Sequence, residues 1–478
     1  MRSGDNGASA RVGAGSEIIT EAVLLARPER KDWEVIDDLR VTALYTELEG
    51  ESVCLLSYDI CEITRAEAPR LQWAVAGELG MPADRVHVFC THTHSSSCGR
   101  EHDIGFLEAR SVDAARQARA SARHVREVQF LRVDTGREFN INRRTQGGEL
   151  GAWCLMQSRG CTDDGEVVDG TQWVRDKMVS YGATSTEAAA IHGPFPAIRP
   201  NDPLLDLVLF PDAKGGYVAG LVRFTAHAVV CSAGYWRPNL GRDYPGELCD
   251  RLSRQLACPI LFLQGPCGDH RPRHRDVGIE ERDRIAGGLA KVLLSRLDQA
   301  RPFPFDRLDN RVRSVPCVVR EDLPSTVEQA RARADQVRQR LDGLGPGPEL
   351  LVQRKALAEQ ASFYDNAVSV LEGFPYLLPG EAETKEAHLV VSRVSFGNVH
   401  LLNFPGELFS TAARGLEDAA GGPTLVVSFA DGVTGYLMPE RDFREGGYEW
   451  TYAPFTPASV SGLRSAGVAL CGAGEVVP

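Results

Sequence analysis

At 478 residues, with 43% hydrophobic and 25% charged side chains, the chain buries a substantial core, which excludes a disordered or fibrous protein. Asp and Glu (65) outnumber Lys and Arg (53), for a formal net charge of −12. That balance argues against general nucleic-acid binding and against docking on anionic lipid. No apolar run approaches the roughly 18–20 residues that cross a bilayer. The opening Met1-Arg2-Ser3-Gly4-Asp5 has no apolar core and does not read as a signal peptide. The expectation is a soluble cytoplasmic protein with a disordered polar leader at 1–11.

In chain order, Leu39–Tyr45 and Val53–Asp59 read as strands around the turn Glu49-Gly50-Glu51. Residues 64–79 carry apolar positions at helical spacing and stop at Gly80. The strand Val86–Cys90 then runs into Thr91-His92-Thr93-His94. Polar residues at the carboxyl end of a strand stand where an open α/β sheet places its ligand. A second unit follows. Strands near Leu205–Phe210 and Tyr217–Thr225 lead to His227, a helix follows Tyr244-Pro245-Gly246, and the strand Ile260–Leu263 opens onto Gln264-Gly265-Pro266-Cys267-Gly268-Asp269. A helix near 278–297 closes this unit, and 324–371 reads as a helical hairpin broken at Gly343–Pro348. Strands at 388–395 and 399–403, a helix from about Glu407 and a strand at Thr424–Phe429 complete the chain. No repeat of solenoid period is visible. The fold class expected is α/β, with mixed or mostly parallel sheets and flanking helices.

No Walker A loop, Gly-x-Gly-x-x-Gly, Gly-x-Ser-x-Gly or His-Glu-x-x-His occurs, so nucleotide-dependent chemistry and the common serine-hydrolase plan are disfavoured. The twelve cysteines show no Cys-x-x-Cys and read as small buried residues. His92 and His94 lie two apart, so extended backbone would point both to one side. They read either as a metal-site pair or as polar residues closing a loop with Ser95–Ser97. His227, amid apolar residues, is either a ligand or a bonded core histidine. His270 and His274 read as loop residues, because Pro272 between them breaks a helix. Asp269 suits an N-cap and Glu407 a first helical turn. Yet four strand ends carrying His, His, Asp and Glu also suit a hydrolytic zinc set with an open position.

The order of Phe89-Cys90-Thr91-His92-Thr93-His94-Ser95, Asn140-Ile141-Asn142-Arg143, Phe224-Thr225-Ala226-His227, Gln264–Pro272, Phe404-Pro405-Gly406-Glu407-Leu408, Gly435-Tyr436 and Gly447-Tyr448-Glu449 resembles the neutral ceramidase family over about residues 12–465. The resemblance implies a single catalytic domain over 12–478, with the helical hairpin as an insertion and no C-terminal β-sandwich domain. It implies zinc held by His92, His227, Glu407 and Tyr436. It also places His94, Arg143 and Asp269 among polar active-site residues. Asp269 or His94 would be the general base, while Arg143, Arg271 and Gln264 would face the substrate. Authentic ceramidases have a serine two residues after the Gly-Asp, where this chain has Arg271.

The activity expected is hydrolysis of a linear amide in a small polar, possibly acidic molecule, without nucleic-acid or membrane partners. One alternative is a metal-dependent tailoring enzyme of a biosynthetic pathway, running acyl transfer or ring closure. Another is an inactive ceramidase-like binding protein.

Overall fold

The structure is a computed structural model that describes residues 10–97, 102–146, 148–155, 170–193, 195, 200–232, 236–273, 276–372 and 376–472. Residues 1–9 of the expected leader, Cys98, Cys161 and His274 lie outside the described residues.

One arrangement of strands occurs three times. In the first unit β1 (Ala10–Ile18), β2 (Arg40–Leu48) and β3 (Glu51–Tyr58) form an antiparallel meander. Helix α1 (Ala68–Leu79) then crosses to β4 (Val86–Cys90), which pairs parallel to β3. Helix α2 (Ile104–Ala120) returns the chain to β5 (Arg123–Val125), which pairs on the free edge of β1. The second unit repeats this with β6 (Glu127–Asp134), β7 (Leu204–Pro211), β8 (Tyr217–Phe224), α3 (Asp243–Leu256), β9 (Ile260–Gln264), α4 (Ile279–Leu294) and β10 (Arg301–Pro304).

The third unit begins with β11 (Leu308–Val318) and then carries a helical hairpin, α5 (Val327–Asp342) and α6 (Leu351–Glu372). It continues with β12 (Glu386–Phe396), β13 (Val399–Asn403), α7 (Ser410–Ala413), β14 (Thr424–Val427) and α8 (Pro457–Cys471). The sheet orders are therefore β4-β3-β2-β1-β5, β9-β8-β7-β6-β10 and β14-β13-β12-β11. Each sheet is mixed, with a single parallel pair, so the mostly parallel alternative does not hold.

The alternation of side chains in these strands explains how the sheets meet. Leu44 and Leu55 of the first sheet, Val208, Phe210 and Leu261 of the second, and Phe396, Leu401 and Val427 of the third share one central core. The intervening residues face outward. Leu207 and Leu209 pack under Leu248 and Leu289, while Leu56 and Val391 face the helices that cover the first and third sheets. Both faces of each sheet are thus buried, which is why the strands read as continuous apolar runs. Each large side chain taken from water contributes about 1.5–3 kcal/mol, so this shared core fixes the three sheets against one another.

The sequence reading left several elements unread, α2, α8 and β11 among them, and departs from the fold at the leader and at Glu407. Ala10 and Arg11, assigned to the leader, belong to β1, where Arg11 pairs with Glu47. The strand itself went unread because it is Gly- and Ala-rich; a Cβ on Gly13 would stand 2.1 Å from the Ala118 carbonyl of α2. Glu407 does not open a helix. Gly406 turns the chain at φ +98°, and Glu407-Leu408 pairs instead as a short parallel ladder with Tyr436-Leu437.

His87 on β4 clasps the first unit to the third. Its Nδ1 lies 2.9 Å from Asp431 Oδ2 and its Nε2 2.8 Å from Asn310 Oδ1, so both nitrogens face acceptors. Burial pulls its pKa down, but the Asp431 carboxylate outweighs burial and leaves it above the ordinary value. A pKa raised in the folded state stabilises fully below the unfolded value near ~6.5, and that stability is lost as pH rises through the folded value. Urea midpoints should therefore fall as pH rises from about 6 to about 8. In His87→Gln, which cannot titrate, this slope should flatten.

Candidate metal centre

Each parallel pair ends at the same side of the molecule, and the six loops that follow carry the polar residues. His92 follows β4, His227 follows β8 and Glu407 follows β13, and all three are buried. One ligand atom from each lies within 4.8 Å of the others. His227 Nε2 is 3.0 Å from Glu407 Oε2, and His92 Nε2 is 3.7 Å from the same oxygen.

The rings are oriented by backbone. His92 Nδ1 lies 2.9 Å from the Cys61 carbonyl and His227 Nδ1 2.9 Å from the His270 carbonyl. A carbonyl only accepts, so both Nδ1 atoms donate, and each Nε2 lone pair is directed at the cluster. Burial and neighbouring positive groups hold both imidazoles far below their ordinary pKa, hence neutral. Burial also raises the Glu407 carboxyl well above its ordinary range, with Glu62 adding to the effect. Two imidazole Nε2 atoms and the Glu407 carboxyl thus converge on one point. Such a set lacks only a cation, and His, His and Glu are donors that zinc accepts. The residues fit the metal.

Tyr436 lies beside the set, as the direct partner of Glu407 in the short ladder. Its hydroxyl donates to Glu407 and receives Arg143 Nη2 at 3.0 Å. His92 adopts φ +61° and Phe429, whose ring stacks on it at 4.1 Å, adopts φ +56°. Both are backbone conformations that non-glycine residues rarely hold, and strain of this kind gathers at functional sites. His92 and His94 are thus not extended, yet their rings still meet, with Nε2 atoms 3.1 Å apart. His94 is half-buried and neutral, its pKa pushed down to about 4 by burial and then by Arg143.

Four of the expected site residues are hydrogen-bonded to other parts of the chain. Asp269, a candidate general base, has both oxygens occupied. Oδ1 accepts from Ser410 N–H at 2.9 Å and from His270 Nδ1 at 3.0 Å, and Oδ2 accepts from Asn142 at 2.8 Å and Ser410 Oγ at 3.0 Å. Burial would raise its pKa, but His270 and Ser410 outweigh that and hold it below the usual range. Asp269 is a brace behind the His270 carbonyl.

Gln264, expected at the substrate, is fully buried. Its amide donates to the carbonyls of Thr91 at 3.1 Å and Ala226 at 2.9 Å, the residues preceding His92 and His227. Arg143 donates from Nε to Glu449 at 3.0 Å as well as to Tyr436, so its charge is already answered. Arg271 lies on the strand His270–Pro272, opposite Ile141, and donates from Nη1 to the Pro272 carbonyl.

Two neighbours of the site were given no role in the sequence reading. Glu449 divides its oxygens between Arg143 and Arg144, at 3.0 and 2.6 Å; the adjacent arginines were the available signal. Glu62 accepts from Tyr376 at 3.1 Å, and burial lifts its pKa to about 7.

No protein-family model and no curated protein matches the chain. Solved structures do. A neutral ceramidase from Pseudomonas aeruginosa matches with a TM-score of 0.63 and 15% identity, over 97% of this chain and 74% of that one. A structure described as ceramidase complexed with C2 matches at 0.61 and 14%, over 98% and 77%. The fold is ceramidase-like. At this identity the likeness speaks for the fold.

Because Gln264 ties together the loops of both histidines, Gln264→Leu keeps the volume but leaves two buried carbonyls without a donor. The affinity of the site for added zinc, measured against a chromophoric chelator, should fall about 10–100-fold. Unchanged affinity would show that the loops hold themselves.

Proposed function

We propose that the chain is a zinc-dependent hydrolase acting on the amide bond of a small polar molecule, with the ion held by His92, His227, Glu407 and Tyr436. The observation that carries this reading is the convergence of two buried imidazole Nε2 atoms on the Glu407 carboxyl, at 3.0 and 3.7 Å. The ceramidase names of the structural neighbours support amide hydrolysis over other metal-assisted reactions.

Zinc at such a set supplies Lewis-acid polarisation of a carbonyl and acidifies water. The chain's own residues do the rest. His94 is the one ring of the three that reaches solvent, and its Nε2 faces the cluster. It is the group placed to take a proton from the attacking water and deliver it to the leaving amine. Arg143 holds the Tyr436 oxygen, with Glu449 offsetting its charge. Phe429 covers one face of His92 and keeps water from it.

Protein purified without added metal should contain about one zinc per chain by elemental analysis. Glu407→Gln should lose metal and turnover together. His94→Ala should keep the metal while kcat falls about 10²–10⁴-fold. Full activity in Glu407→Gln, or a metal content near zero in active protein, would overturn the assignment.

A further inference from the structure

Next to the cluster the chain encloses a cavity of about 470 Å³. Its walls are Trp153, Trp173, Tyr181, Tyr448 and Tyr452, and among the described residues no Leu, Ile, Val, Met or Phe side chain lines it. Its floor is polar. Glu359, Ser362 and Asn366, spaced i, i+3 and i+7 on α6, present one face of that helix to it.

The box is preformed. Tyr181 stacks on Trp153 with ring centroids 6.2 Å apart, and Trp173 meets it edge-on at 6.1 Å. Lys355, paired with Glu359 at 2.6 Å, sits 4.8 Å over the same indole. Trp153 is 2% exposed, and its Nε1–H has no hydrogen-bond partner among the described residues. A buried donor left unmade costs free energy that a bound acceptor would recover. Tyr448 joins cavity to cluster, for its ring lies 6.2 Å from that of Tyr436.

We propose that this cavity is the subsite for a planar aryl or heteroaryl group of the substrate that carries a hydrogen-bond acceptor, and that it selects against long alkyl chains. The proposal rests on the amide-hydrolase reading above. Aromatic faces hold a planar ring by stacking. An alkyl chain would instead lie against carboxylate, hydroxyl and amide groups that it cannot satisfy. The acceptor on the ring system pairs with the indole N–H of Trp153.

Calorimetric titration of the full chain with 2-naphthamide and with octanamide tests this without any turnover. The naphthamide should bind about tenfold tighter. Trp153→Phe keeps a ring and removes the N–H, so it should weaken 2-naphthamide roughly fivefold and leave naphthalene unchanged. If Trp153→Phe fails to fold by circular dichroism, Trp173→Leu at the cavity wall serves instead and should reduce the preference for naphthamide over octanamide. Equal affinity of the unaltered chain for the two amides, a Trp153→Phe variant that loses naphthalene and naphthamide alike, or a Trp173→Leu variant with the preference unchanged overturns the subsite. Aryl-amide binding by a protein without zinc or turnover would keep the subsite and retire the hydrolase reading.

Discussion

A carboxylate and two neutral imidazoles, all buried, point their lone pairs at one another, and much of the surrounding structure exists to keep them there. Glu407, His92 and His227 are each 3% exposed or less, so water does not screen them. Left alone, such an arrangement is costly, because burial opposes the charged form of the Glu407 carboxyl and raises its pKa. Much of the surrounding hydrogen bonding fixes the two rings from behind. The carbonyls of Cys61 and His270 take the Nδ1 protons. Gln264 holds the residues just before both histidines, and Asp269 ties the His270 turn to Ser410 and Asn142. What remains in the middle is a position for a cation.

The threefold arrangement explains how distant segments arrive at that position. Each unit ends its parallel pair on the same side, and a common apolar core sets the three pairs around one centre. The six loops therefore deliver Glu62 and His92, His227 and Asp269, and Glu407 and Tyr436. Equivalent places in the topology hold different chemistry: the loop after the first strand of the parallel pair bears Glu62, His227 or Glu407, and the loop after the second bears His92, Asp269 or Tyr436. The fold supplies location, and the loops supply function.

The sequence was legible where physics is local. Val86–Cys90, Ile260–Leu263 and 399–403 read as strands because both of their faces are buried, and the hairpin helices carried their own periodicity and Gly/Pro break. It was illegible where the deciding contact is distant. β1 is a strand because Gly13 lets the backbone of α2 approach, not because of alternation. Glu407 pairs with Tyr436 only once the third unit has folded. The residues that converge were named through the order of motifs resembling the ceramidases, while the internal hydrogen bonds of Asp269, Gln264 and Arg143 were not read. A role depends on which lone pair or proton is left over after internal bonding, and backbone carbonyls such as those of Cys61 and His270 leave no mark in a sequence.

Charge balance carries one more consequence for the substrate. Two guanidiniums, Arg143 and Arg144, lie beside the centre, and two carboxylates, Glu449 and Asp442, lie against them. The positive charge is therefore answered inside the protein, and an acidic substrate would find no uncommitted guanidinium in this group. Arg143 has a different task. A guanidinium keeps its protons at any ordinary pH, so its N–H is always directed at the Tyr436 oxygen. That phenol is raised well above its ordinary pKa by burial and by Glu407, which opposes the anionic form a metal ligand needs. A fixed positive donor at 3.0 Å offsets that penalty at the one oxygen where it matters. In the reading proposed above, the Arg143–Glu449 pair would thus serve Tyr436 as a fourth ligand beside Glu407 rather than the substrate, and recognition would fall to the aromatic walls beyond Tyr448.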